Sequence, residues 1–450
     1  MTIYEPPTSS SQSETPPPII IEESYLWFDG KRIDELAFCN EIMTEQNLRY
    51  VDGSFYNLDG VVSTSTVKKI ITDKLTAAGV SHGIASKIDN LTNALTHICY
   101  CEEFRQPENE IHLQNGILKT DGTFIPEKHF CKNRLNASYL YDTTEPKCWL
   151  SFLNDLLEPA DILTLQEYMG YCLINSTKAQ AMLFLVGKGG ECKSRIGVVL
   201  NKLFGNACYN ESLVALSGDK FLRGNLVGKT VLVDDDMSFE GIRDTSFLKS
   251  LVTAETYVSV QWKNRQAIQA ALAVRAVVFS NSPPTSLYDK TEGWHRRLIV
   301  LSTKDAPKDR IPDRNLSENL LAEIDGIFIW AYAGLLRLIE NSYCFTLSEK
   351  TLVMMNSIKK ESCNIIEFLA DTQAVQFVSG NVTTSVDIYN AYCNWCYSNG
   401  YSPFKQKGFY DWISQNSEKY NISPTNKAWG GRNYVRGYDG IRVSFRSHIE

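Results

Sequence analysis

A chain of 450 residues is too long for one compact core, so about two to four domains are expected. Its 43% apolar and 22% charged content is that of a soluble globular protein, and no apolar run reaches membrane-spanning length. The net charge of −7 argues against a protein that coats nucleic acid indiscriminately. Twelve cysteines without a repeating framework, and no secretory leader, point to reduced thiols and a cytoplasmic location.

Residues 1–20 are rich in Pro, Ser and Thr and read as a disordered tail. Residues 21–145 form an N-terminal α+β domain. Val51 to Val61 looks like a small hairpin, Thr64 to Leu75 has helical spacing, and Asn115-Gly116 and Asp121-Gly122 are tight-turn dipeptides between apolar residues. His97, His112 and His129 are too scattered to make a site. Residues 146–178 are helical, with Trp149, Phe152, Leu153, Leu156 and Leu157 in one stripe, and form a collar or linker.

Ala181 to Ser194, AMLFLVGKGGECKS, reads as a buried strand, a glycine-rich turn and the start of a helix running from Arg195 to Leu203. Gly187 to Ser194 fill the pattern G-x-x-x-x-G-K-[ST], except that Cys192 stands in place of the second glycine. In such a loop, backbone N–H groups, here around Gly187, Gly189, Gly190 and Cys192, wrap a nucleotide's β-phosphate. Lys193 reaches the β/γ-phosphates and the Ser194 hydroxyl ligates Mg²⁺. ATP and Mg²⁺ are therefore the expected cofactors. A β-carbon at Cys192 strains a left-handed backbone by roughly 1–2 kcal/mol. Falling wholly on ATP binding, that is on the order of a 5- to 30-fold loss in affinity.

Four further strands follow: Gly205 to Ser212, Lys229 to Asp236, Ala271 to Asn281, and Arg296 to Leu301. Apolar strands with polar carboxyl ends suit an α/β ATPase sheet, spanning residues 179–310, because ligands bind beyond those ends. Asp234 and Asp235 can hold the Mg²⁺ shell and polarise water, with Asp236 in reserve; Asn281 can orient water or the γ-phosphate. Arg296 and Arg297 fit an arginine finger or a structural pair. Val258 to Trp262 and Ile268 to Leu272 alternate around KNRQ, a hairpin presenting Lys263 and Arg265 either to a phosphate backbone or to solvent.

Residues 311–375 are a helical segment, and residues 376–450 change character. Thr384-x-x-Asp387 opens a helix that Gly400 ends, and Ser402-Pro403 starts another. Trp429-Gly-Gly, Arg432, Tyr434, Arg436 and an Asp439-Gly440 turn then suggest a basic, aromatic hairpin. Residues 401–450 hold eight Lys/Arg against four acids, leaving −11 on the rest of the chain. Lys427, Arg432 and Arg436 are the expected DNA contacts of a winged-helix domain, a fold that also serves protein docking. Cys393 and Cys396 form an isolated CxxC that lacks the other ligands of a metal site.

The phosphate loop, VLVDDD, KNRQ, FSN and WHRRL stand in one order, which resembles the superfamily 3 helicases. The similarity is to the phage and plasmid primase-helicase family related to the poxvirus primase-helicase, and QNGILKTDGTF, LQEYMGYCLI and DIYNAYCNWC extend it to most of residues 40–445. The resemblance implies an AAA+ ATPase in which Lys193 and Ser194 are the Walker A residues and Asp234 and Asp235 the Walker B acids. It makes Lys263 the channel lysine, Asn281 the sensor, and Arg296 or Arg297 the finger from an adjacent subunit. It further implies a hexameric ring translocating 3′ to 5′ on single-stranded and forked DNA during replication of a phage, plasmid or mobile element, with origin DNA bound by the C-terminal domain. No primase activity and no membrane are expected. The alternatives are an origin-binding initiator whose ATPase is weakened by Cys192, and an AAA+ remodeller of a protein partner.

Overall fold

The computed structural model describes residues 25–104, 107–237, 245–253, 257–262, 266–284, 292–305, 313–362, 364–399, 401, 403–429 and 432–444. The chain divides into two compact units, the first ending at Phe104 and the second beginning at Arg105.

In the first unit, helix α1 (Glu35–Glu45) precedes a three-stranded antiparallel sheet of β1 (Arg49–Val51), β2 (Ser54–Asn57) and β3 (Gly60–Val62). Helices α2 (Thr64–Ala77) and α3 (Ile84–Ile98) follow. The Asp34 side chain caps α1 through the Ala37 amide, and Ser63 caps α2 through that of Thr66. Trp27, Phe38, Ile42, Val67, Ile71, Leu91 and Leu95 form its core.

The second unit starts with a meander of β4 (Glu110–Leu113), β5 (Gly116–Lys119) and β6 (Phe124–Ile125). The sequence grouping of residues 21–145 as one domain is thereby corrected. Ile111, Leu113, Leu118, Leu135 and Ala137 are buried in the same core as the large sheet's residues. Helices α4 (Lys147–Leu156) and α5 (Pro159–Cys172) lead to β7 (Met182–Val186), α6 (Arg195–Phe204), β8 (Cys208–Asn210), α7 (Leu213–Gly218), β9 (Val231–Asp234) and α8 (Ser246–Thr253). Next come β10 (Val258–Val260), β11 (Ile268–Ala270), β12 (Arg275–Ser280), α9 (Glu292–His295) and β13 (Leu298–Ser302).

Strands β13-β7-β12-β9-β8 make one five-stranded sheet in that order, with every neighbouring pair parallel. Covered on both faces, its strands are continuous apolar runs, and all residues of β7 and β12 are buried. Side chains alternate between two cores: Leu183, Leu185, Val231, Val233, Val277 and Phe279 join α6 on one face, and Met182, Phe184, Leu232, Ala276 and Val278 join α7 and α8 on the other. Helices α10 (Leu316–Ala322) and α11 (Ile324–Glu340) complete the first core. The α5 and α11 backbones cross closely, because a β-carbon at Gly170 would collide with Ala331 and Leu335, and one at Gly334 with Gln166.

After α12 (Glu349–Ser362), a separate core is built by α13 (Asn364–Ala370), β14 (Val375–Thr384), α14 (Ser385–Ser398), α15 (Gln406–Gln415), β15 (Ser423–Trp429) and β16 (Arg432–Val443). The sheet order is β14-β16-β15, antiparallel. Thr384 caps α14, accepting from the Asp387 amide and donating to its carboxylate. Three expectations are corrected here. Ile365, Phe368 and Leu369 belong to this core, so the module begins before residue 376. The helix expected from Ser402-Pro403 begins at Gln406 instead, Ser402 lying outside the described residues. Asp439-Gly440 is not a turn but lies inside β16, and the irregularity falls opposite it between Val378 and Val382, where Gly380 has φ +79°. No single helix among the described residues is long and apolar enough to cross a membrane.

Candidate functional site

Because the large sheet is fully parallel, the chain leaves all five strands on the same edge. Gly187, Asn281, Asp235 and Thr303 follow β7, β12, β9 and β13 there. In such sheets the carboxyl edge is where ligands sit.

The glycine-rich loop leaves β7 between its two neighbours and is tied to both. Gly187 N–H donates to Ser280 O at 3.1 Å, and Thr303 N–H donates to Val186 O at 2.8 Å. Thr303 and Glu191 crowd Gly187 so closely that no β-carbon fits there. Gly189, Gly190 and Cys192 have φ of +100°, +90° and +66°, which closes the turn before α6. Cysteine thus adopts the left-handed backbone expected of the missing glycine. Its side chain packs against the α6 core.

Lys193 is buried, and its Nζ donates to Asn281 Oδ1 at 2.8 Å and to Gly187 O at 3.4 Å. Residues far apart in sequence are thereby joined across the edge. Ser194 stands at the start of α6 without using its side chain as a cap, so the hydroxyl faces no helix amide. Sequence reading passed over Glu191 as a variable motif position. Its carboxylate is 4% exposed, accepts from Gly189 N–H at 3.0 Å and lies 3.7 Å from Lys193 Nζ. The loop's own carboxyl group thus takes up a backbone donor of the glycine turn. Glutamate in the motif was the only signal for this.

The acids separate. Asp234 is 3% exposed and accepts from Leu213 N–H at 2.8 Å. Burial raises its carboxyl above the ordinary carboxylate range, partly offset by backbone N–H bonds from Leu213 and Asp236. By strand alternation it lies on the α7 face. Asp235 and Asp236 are exposed on the edge, just before Met237 N–H returns to Phe279 O at 2.9 Å.

Arg296 and Arg297 do not open a strand as expected; they occupy a turn between α9 and β13. Arg297 O accepts from Met182 N–H at 2.7 Å, so the pair lies at the amino edge of the sheet. That is the length of the five-residue β7, about 16 Å, from the loop in the same chain. Arg296 is exposed, whereas Arg297 is buried with a bond from Nη1 to Gly293 O.

Val258–Val260 and Ile268–Ala270 pair as the expected hairpin, in shorter strands; Lys263 and Arg265 at its tip lie outside the described residues. In the C-terminal module, Arg436 is exposed, as are Lys405, Lys407, Lys419 and Arg442. Lys427 and Arg432 lie on paired strands, opposite Val435 and Trp429.

A family of unknown function (DUF5906) matches residues 185–297, from within β7 to the second arginine. No curated protein matches the sequence. Among solved structures, the chain is similar to the apo A form of the NrS-1 C-terminal region, with TM-score 0.51 and 13% identity, covering 91% of this chain and 100% of that one. A second A form, NrS-1 residues 305–718, gives TM-score 0.51 at 12% identity over 90% of this chain and 100% of that chain. Another apo structure of the same region gives TM-score 0.51 at 12% identity over 90% and 99%. The likeness is one of fold.

Proposed function

We propose that this chain is an ATP-driven DNA helicase of the superfamily 3 type, acting in replication of a phage, plasmid or other mobile element. The observation that carries the reading is the 2.8 Å bond from Lys193 to Asn281 beside a glycine loop that already cradles a carboxylate. It supports an AAA+ site in which the loop N–H groups and Lys193 bind the β- and γ-phosphates of ATP. The Ser194 hydroxyl and the acids ending β9 are the groups that would hold Mg²⁺, an ion commonly bound by one or two carboxylates together with substrate phosphates. Mg²⁺ supplies neutralisation of phosphate charge.

The protein groups divide the remaining work. Exposed Asp235 accepts a proton from attacking water, buried Asp234 orders the strand end through Leu213, and Asn281 aligns the γ-phosphate while steadying Lys193. Exposed Arg296 lies at the opposite edge, where it would serve a neighbouring subunit's site in a homohexameric ring, while buried Arg297 braces the turn through Gly293 O. The helix–strand–helix–helix–strand–strand order of residues 364–443 supports a winged helix, with Arg436, Lys405 and Lys407 exposed to DNA phosphates. Lys263 and Arg265 on the hairpin would contact the translocating single strand.

Phosphate release by the full chain with ATP and Mg²⁺, with and without single-stranded DNA, tests the reading. Release stimulated by DNA and lost in Lys193→Ala is expected, together with unwinding of a 3′-tailed duplex. DNA-indifferent release would shift the reading to a protein remodeller. No release from a chain that binds duplex DNA would make it an initiator.

A further inference from the structure

Glu191 is placed where a nucleotide phosphate would compete with it. Its Oε2 accepts the Gly189 N–H at 3.0 Å, and its carboxyl carbon lies 3.1 Å from the position of a β-carbon on Gly187. Lys193 Nζ is 3.7 Å away and donates to Asn281 and Gly187 O. Carboxylate and phosphate oxygens seek the same partners, N–H groups and an ammonium. Two anions cannot share that cradle at contact distance without strong repulsion. The preceding residues, Gly189 and Gly190 with φ of +100° and +90°, give the segment backbone freedom to turn the side chain out.

We infer that Glu191 is a built-in occupant of the phosphate cradle, a latch that a nucleotide's β-phosphate must displace. The inference rests on the phosphate-site reading above. The latch lowers affinity only for ligands that fill the cradle, so it weakens di- and triphosphates and leaves a monophosphate unaffected. A purely structural Glu191, bracing the loop, would have the opposite sign: its removal would weaken every ligand.

Calorimetric titration of the full chain with ADP, inorganic pyrophosphate and AMP separates these cases. Glu191→Ala should bind ADP and pyrophosphate about tenfold more tightly than the parent, the scale of one charge-assisted hydrogen bond. Glu191→Gln, which keeps the acceptor oxygen and loses the charge, should fall between them, and AMP binding should not change. Should the alanine variant fail to fold, the glutamine variant carries the test with the same sign. If the parent binds ADP, Lys193→Ala abolishes it, and the Glu191 variants bind equally or less tightly, the latch is overturned while the site stands. If only the Glu191 variants bind, both are supported. If none of the proteins binds ADP or pyrophosphate, both fall.

Discussion

Cys192→Gly tests how the loop's strain is distributed. The sequence alone suggests that the β-carbon costs ATP affinity 5- to 30-fold. The structure changes that expectation, because Cys192 already holds φ +66° while Glu191 lies in the cradle, and its side chain packs toward the α6 core. A left-handed backbone at a non-glycine residue costs roughly 1–2 kcal/mol. That cost is met on folding, and it cancels from binding when φ is the same with phosphate in the cradle. Glycine would relieve it, but a more flexible unfolded chain takes back about 0.4–1 kcal/mol. Losing a half-buried thiol removes about 1 kcal/mol more. The three contributions leave folding stability within about 1 kcal/mol of the parent's. The dissociation constant for ADP should change by less than about threefold, or ~0.65 kcal/mol. Urea denaturation measures the first quantity and titration with a fluorescent ADP analogue the second. More than fivefold tighter binding by Cys192→Gly would refute the reasoning, since it would require the cysteine backbone to become strained only when phosphate binds.

Three further outcomes are expected. Arg296→Ala or Arg297→Ala should abolish phosphate release in homogeneous assemblies, and mixing the impaired variant with Lys193→Ala should restore part of it; if neither single variant is impaired, the finger is another residue. His112 is 3% exposed, and burial, helped by Arg134 and His129, lowers its pKa to about 4, despite Glu110 lying 3.7 Å away. The folded state holds this imidazole neutral, so its contribution is present above the unfolded value near 6.5 and is lost as pH falls toward 4. Across that window the parent should lose on the order of 3 kcal/mol that His112→Gln does not lose, and parallel pH profiles of unfolding free energy would refute this. Gly334→Ala should destabilise the second unit by about 1–3 kcal/mol, because the new methyl meets the Gln166 backbone where α5 and α11 cross; an unchanged denaturation midpoint would show that the crossing can open.

Features legible in the sequence are those set by short-range physics. An unbroken MLFLV run makes a strand covered on both faces, and the glycines of GKGGECKS mark the sharp turn before α6. Thr384 and Asp387 cap a helix because both groups lie within one turn of it. Asp121-Gly122 likewise turns the chain between β5 and β6, with Gly122 at φ +89°. Asp439-Gly440 carries the same local signal, and Gly440 does take φ +95°, yet the pairing with β14 runs on through both residues and that with β15 reaches Asp439, so β16 continues past them and the register shift falls on the partner strand between Val378 and Val382. The domain limits also needed the packed chain, since Ile111 and Phe368 are apolar in any context and only their neighbours decide which core they join.

By its residues alone, this chain determined a parallel α/β sheet with a glycine-rich strand-to-helix loop and a basic C-terminal module, because periodicity, turn residues and charge are local properties. Tertiary structure alone decided the arrangement of the site. Strand order put Asn281 beside Lys193, alternation along β9 divided buried Asp234 from exposed Asp235, and the parallel register set Arg297 at the far edge. It also folded the Glu191 carboxylate back onto Gly189. These are contacts between groups whose distance in space is set by sheet topology and loop closure, and neither is written in the spacing of residues along the chain.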